Sequence, residues 1–198
     1  KSGSRITIDL QFARFQSYFV IFPKVKTAMP AQSKTLFPVL TQKEILTGAW
    51  EVNFNPKWGG PNKIIFDELI DWSKHSDEGI RFYSGKAVYH KSFTCSLPAK
   101  GKRMFLDLGV IKNIASVKLN GKNLGTIWTS PWRIDIANSV KSGENKLEIE
   151  IINQWPNRLI GDAALPKEKR LTNTNIVFKK TDPLLPSGLI GPVQIMSE

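Results

Sequence analysis

Strict alternation of apolar and charged side chains runs through KLEIEI (146–151): Leu147, Ile149 and Ile151 point one way, Lys146, Glu148 and Glu150 the other. Side chains alternate with period two only along a β-strand, so this segment reads as a half-buried strand of an antiparallel sheet with one wet face. The same period recurs in KAVYHKSFTC (86–95), RMFLDL (103–108), ASVKLN (115–120) and WRIDI (132–136), and a further strand opens at AWEVNF (49–54). Glu148 and Glu150 therefore read as a solvated strand face rather than a catalytic pair.

Turn residues punctuate these strands. Asn120-Gly121 lies between two of them, and Asn-Gly accepts the positive φ of a two-residue hairpin. KSGEN (141–145) supplies a second tight turn. Many short strands with frequent turns predict a two-sheet sandwich. One short helix is predicted at DELIDWSK (67–74), capped by Asp67, with Leu69, Ile70 and Trp72 as its apolar side. Upstream, RITIDL (5–10) and SYFVIF (17–22) read as two more strands, while prolines 23, 30 and 38 among polar residues mark a surface connection. The expected organisation is the terminal strands of a preceding β-domain over 1–25, a linker over 26–48 and a sandwich over 49–198. The start has no apolar signal-peptide core and reads as a strand, as expected of a chain cut from a longer protein.

A net charge of +11 raises the question of nucleic acid. The lysines are dispersed, and no RNA-recognition, zinc-finger or helix-turn-helix signature is present, so no nucleic-acid partner is expected. A basic surface equally suits acidic polysaccharides or plain solubility. No apolar run reaches the ~18 residues of a membrane helix, and no membrane span is expected. Cys95 is the only cysteine, which excludes an intrachain disulfide and a thiolate cluster; in phase with Tyr89 and Phe93, it reads as a buried structural thiol. His75 and His90 lack metal-ligand spacing. There is no G-x-S-x-G elbow, H-E-x-x-H, phosphate-binding glycine loop or EF-hand loop.

Residues 106–153 contain LDLG, then VKLNGKNLG, then a proline followed by DI, then GENKLEIEIIN. This order resembles the sugar-binding jelly-roll domain of family 2 glycoside hydrolases, a galactose-binding-domain-like sandwich. NQWPNRLIGDAALPKEKRLTNTN (153–175) and DPLLPSGLIGPVQI (182–195) resemble the C-terminal region of large bacterial α-L-rhamnosidase-like enzymes of the family-106 type. The resemblance spans 49–198 and departs within RLTNTN, where relatives carry a tryptophan and this chain has none. It implies an all-β antiparallel jelly-roll sandwich with a short helix, preceded by a strand pair from a neighbouring β-domain. It implies a non-catalytic module of a secreted or periplasmic glycoside hydrolase, with the catalytic carboxylates on a barrel elsewhere. The implied partners are carbohydrate and the catalytic and β-domains of the parent chain. It names no certain cofactor; such sandwiches often hold a structural calcium, and no contiguous ligand run marks one here.

Sugars present apolar C–H faces that stack on exposed aromatic rings, while polar groups fix their hydroxyls. Trp132, Ile134 and Ile136 alternate onto one side and are expected in the core, with Arg133 turned the other way. Trp128 lies in a proline-containing turn as an exposed ring or as packing, Trp50 is expected in the core, and Trp58 in NPKWGGPN is expected to be exposed. QWPNRLIGD (154–162) is expected to be a rim loop offering Trp155, Asn157, Arg158 and Asp162. Arg158 and Asp162 either contact a ligand or pair with each other to brace the loop. The candidate carbohydrate-binding residues are Trp128, Arg133, Trp155, Asn157, Arg158 and Asp162. The alternative function is a structural sandwich that buttresses the barrel without binding sugar.

Overall fold

A computed structural model of the chain describes residues 6–22, 24, 37 and 39–198. The strands are β1 (Thr41–Ile45), β2 (Trp50–Asn53), β3 (Ile64–Phe66), β4 (Lys86–Cys95), β5 (Met104–Asp107) and β6 (Val110–Lys112). They continue as β7 (Ile114–Leu119), β8 (Lys122–Ile127), β9 (Arg133–Asp135), β10 (Gly143–Ile152), β11 (Gly188–Gly191) and β12 (Gln194–Ser197). Two short helices, α1 (Glu78–Arg81) and α2 (Pro156–Ala163), sit in the connections. The larger sheet has the order β3-β2-β4-β10-β7-β8, the smaller β1-β12-β5-β9, and β11 pairs with β6. All these pairings are antiparallel. The fold is the expected all-β sandwich.

The alternation in β10 builds the core. Ile149 lies opposite Tyr89 on one side and Val117 on the other, and Leu147 lies opposite Leu119. All five are buried, and each large apolar side chain so placed stabilises the fold by about 1.5–3 kcal/mol. On the other face Glu148 meets Lys118 at 2.6 Å, and Glu150 meets Lys86 at 2.9 Å. The glutamates thus form a charge ladder in water, as the alternation predicts. Deeper in the sandwich, Trp50, Phe54, Phe66, Trp72, Tyr83 and Tyr89 pack mostly edge to face, with Phe54 tilted against Phe66 and Trp72 stacked parallel to Tyr89. Trp50 and Trp72 are fully buried. Gly188 passes against Trp72 with φ +97°, and a Cβ there would overlap the indole, so glycine is required on both counts.

The turns follow their chemistry. Asn120 and Gly121 both have positive φ and close the β7–β8 hairpin. Asn145, fully buried, binds Lys141 and Gly143 through its own turn and accepts from Asn120 Nδ2. The side chain of one turn residue therefore locks the second turn to the first.

Several expectations are corrected. The helix predicted over 67–74 is a 3-10 turn, Trp72–Lys74, capped by Asp71. Asp71 Oδ1 accepts from Ser73 N and from Ser187 N, and Trp72 N donates to Ser187 O, so the segment is tied to the approach to β11 instead of coiling. Residues 6–10 and 17–22 form no strand, and most of their apolar side chains are exposed; residue 5 lies outside the described residues. A strand needs a neighbouring ladder, and no described residue supplies one. Within the span read as a linker, TQKEI forms β1, paired with β12; exposed throughout, it has no alternation by which to recognise it. Trp132 and Ile134 keep the predicted phase but are only half-buried, because β9 is the edge of its sheet, and only Ile136 is fully covered. Trp58 is likewise half-buried. Cys95 is half-buried beside Met104, and burial, followed by the charge of Glu44, pushes its thiol pKa up, which keeps it protonated.

Candidate functional site at helix α2

QWPNRLIGD is a helix rather than a loop. Proline at its first position costs nothing, because that N–H has no helical partner. The carbonyl of Trp155, at the N-cap, accepts from Arg158 N and from Ser84 Oγ. The buried face of α2 carries Asn157, Arg158, Ile160, Gly161 and Asp162, three of them polar.

Asn157 and Asp162 are engaged by partners outside the helix, and Arg158 by Asp162 within it. Asn157 donates to Leu185 O at 2.7 Å and to Ser187 Oγ at 3.0 Å, and accepts from Leu185 N at 2.8 Å. Asp162 Oδ2 accepts from Thr172 N at 2.8 Å and from Thr172 Oγ1 at 2.6 Å. Its Oδ1 lies 2.9 Å from Arg158 Nη2, an ionic contact without hydrogen-bond angles, and Arg158 Nε has no hydrogen-bond partner. The guanidinium sits between Gly59 and Gly161, where a Cβ would press on it. Arg158, Asn157 and Asp162 are therefore buried braces, where the sequence placed them in a rim loop.

Two tryptophans stand beside them. Trp155 is 51% exposed and packs edge to face against Trp58 at a centroid distance of 5.2 Å. This pairing joins residues 97 positions apart and has no signal in the sequence. One helical turn on, Leu159 begins the wall of a cavity of about 530 Å³. Asp162 and Ala163 also line it, together with residues between 167 and 178. These include Lys167, Arg170, Asn173, Thr174 and Phe178, which the sequence reading did not single out as site residues.

Trp128 and Arg133 lie elsewhere. Trp128 is 76% exposed, and Arg133 donates to Asp107 Oδ2 at 2.6 Å. Both line a separate, shallow cavity of about 290 Å³. Thr129 in the same turn donates to Phe15 O at 3.4 Å, so the upstream segment touches this corner. The six candidates thus divide into two places.

Among the described residues no three or more His, Cys, Asp or Glu side chains gather as a metal would require. Among them, too, no helix is long and apolar enough to cross a membrane. Among the described residues, Asp162 is the only acid lining the larger cavity.

Sandwich, capped turns and rim cavity together define a galactose-binding-like β-domain. The chain belongs to the glycosyl hydrolase 2 galactose-binding domain-like family, whose model matches residues 62–181. A protein of Formosa agariphila described as "Putative beta-glucuronidase" is 43% identical, over 78% of this chain and 16% of its own length. The structure of a rhamnosidase from Novosphingobium sp. PP1Y superposes with a TM-score of 0.78 at 36% identity, covering 83% of this chain and 16% of that one. A β-D-glucuronidase from Dictyoglomus thermophilum shares the fold, with a TM-score of 0.55 at 22% identity over 80% of this chain and 28% of that one. The chain therefore spans about one sixth of the length of the first two proteins.

Proposed function

We propose that this domain is a non-catalytic carbohydrate-binding module of a glycoside hydrolase that acts on plant or bacterial glycans. The observation that carries the reading is the cavity beside α2. Its wall sets Leu159 and Phe178 beside Thr172, Asn173 and Thr174, the apolar and hydroxyl-binding chemistry a sugar ring asks for, and the exposed Trp155 stands one turn along. Rhamnose-containing glycans and a family-106 type of parent enzyme, secreted or periplasmic, complete the proposal; the similarity to the rhamnosidase supports the first two. A calorimetric titration with rhamnose-containing oligosaccharides tests it. Binding that is lost in Trp155→Ala at an unchanged melting temperature is expected, together with no turnover of aryl α-L-rhamnosides.

A buttress that binds no sugar is the second reading. It is favoured by Asn157, Arg158 and Asp162, which spend their polar atoms inside the domain. No binding to any plant or bacterial glycan at native stability would decide for it.

A further inference from the structure

The cavity beside α2 has an electrostatic asymmetry that its sugar-like wall does not require. Lys167 and Arg170 both line it. Neither takes part in any of the ion pairs among the described residues. The one acid on the wall, Asp162, is already engaged by Arg158 through one oxygen and by Thr172 through the other. Two positive charges thus line the cavity outside any ion pair among the described residues, although Glu168 lies between them in the chain. Arg170 is also held in place, because its Nε donates to Leu165 O at 2.9 Å. That bond fixes the plane of the guanidinium and leaves its two terminal nitrogens for a further acceptor, the fork geometry that matches a carboxylate or sulfate. Lys167 opens the 3-10 turn Lys167–Lys169, directly before Arg170. In the same lining, Leu159 and Phe178 supply apolar surface for a ring face, and Asn173 and Thr174 supply hydrogen-bonding groups for hydroxyls.

Building on the carbohydrate-binding reading above, we infer that this cavity takes an acidic saccharide, with Lys167 and Arg170 clasping the anionic group of a uronate or a sulfated sugar. The ring packs against Leu159 and Phe178, and Asn173 and Thr174 meet its hydroxyls. The overall charge of +11 adds a diffuse attraction for any polyanion, so the test has to separate the clasp from the background.

Calorimetry of the whole chain separates them with four probes: trigalacturonate and its methyl ester, and a κ-carrageenan tetrasaccharide and its desulfated form. Each pair keeps the sugar framework and removes the charge. The expected result is that at least one acidic member binds roughly tenfold or more tighter than its neutral partner, the scale of charge-assisted hydrogen bonds. Which pair shows the difference distinguishes carboxylate from sulfate. The double variant Lys167→Gln/Arg170→Gln should lose that preference and keep its melting temperature. The control Lys122→Gln/Lys141→Gln, which removes the same charge outside the cavity, should keep the preference. Equal affinity for acidic and neutral probes would overturn the inference and leave the carbohydrate-binding reading standing. An equal loss in the control would overturn it in favour of diffuse attraction. Failure of every probe and of neutral glycans generally would remove both.

Discussion

Arg158 and Asp162 face each other one turn apart along α2, 2.9 Å between Nη2 and Oδ1, with side chains 7% and 3% exposed. A charge so deeply buried is tolerable only while its partner is present. Asp162→Ala strands the guanidinium and also releases Thr172, so urea unfolding should show a loss of about 3–5 kcal/mol. Arg158→Met/Asp162→Leu removes both charges and should cost clearly less. A double variant as unstable as the single one would place the loss in the released Thr172 rather than in the stranded charge.

The tryptophans should separate by burial. Trp72→Ala removes a fully buried ring and the donor to Tyr89, and should cost about 3–5 kcal/mol. Trp128→Ala should cost about 1 kcal/mol or less, and the half-buried Trp132→Ala should fall between them. Chemical denaturation of the three variants orders them. A loss at Trp128 equal to that at Trp72 would contradict the exposed ring.

Asn145→Ala should be far more damaging than its place in a turn suggests. Its amide, itself fully buried, binds Lys141 N, Lys141 O and Gly143 O and accepts from Asn120, in bonds that are partly shielded from water. Removing it leaves four partly shielded bonds unmade and a void at a buried position, for an expected loss of about 2–4 kcal/mol in thermal or urea unfolding. A near-native midpoint would show that water takes over these bonds.

Alkaline pH should destabilise the domain through Tyr89. Burial raises its phenol pKa well above the ordinary value of 10.0, against hydrogen bonds from Leu189 N and Trp72 that act to lower it. Burial raises Tyr83 in the same direction. A raised folded-state pKa means that the unfolded chain loses its proton first. The associated stability is full below pH 10 and drains away as pH climbs past the unfolded value toward the folded one. Stability measured from pH 8 upward should fall beyond 10, and Tyr89→Phe should flatten that fall. An unchanged slope in the variant would place the titration elsewhere.

The sheets were legible in the sequence because alternation is a local property. Leu147, Ile149 and Ile151 declare a buried face within six residues, and Asn120-Gly121 declares its hairpin by backbone preference alone. Strand β1 carried no such mark, because an exposed edge strand buries nothing. The site was legible only as a list of residues. Trp155, Asn157, Arg158 and Asp162 do lie together, but their helix was hidden because its buried face is largely polar, and polar side chains look like solvent-facing ones until their partners are known. Those partners include Thr172, Leu185 and Ser187, between 10 and 30 positions away. The Trp58–Trp155 contact and the basic wall of the cavity arise in the same way, from segments that meet only when the sandwich closes. Local patterning determines which residues can pair with the sheet; which buried charges are satisfied, and which are left facing a cavity, depends on distances between remote segments that only the folded chain sets.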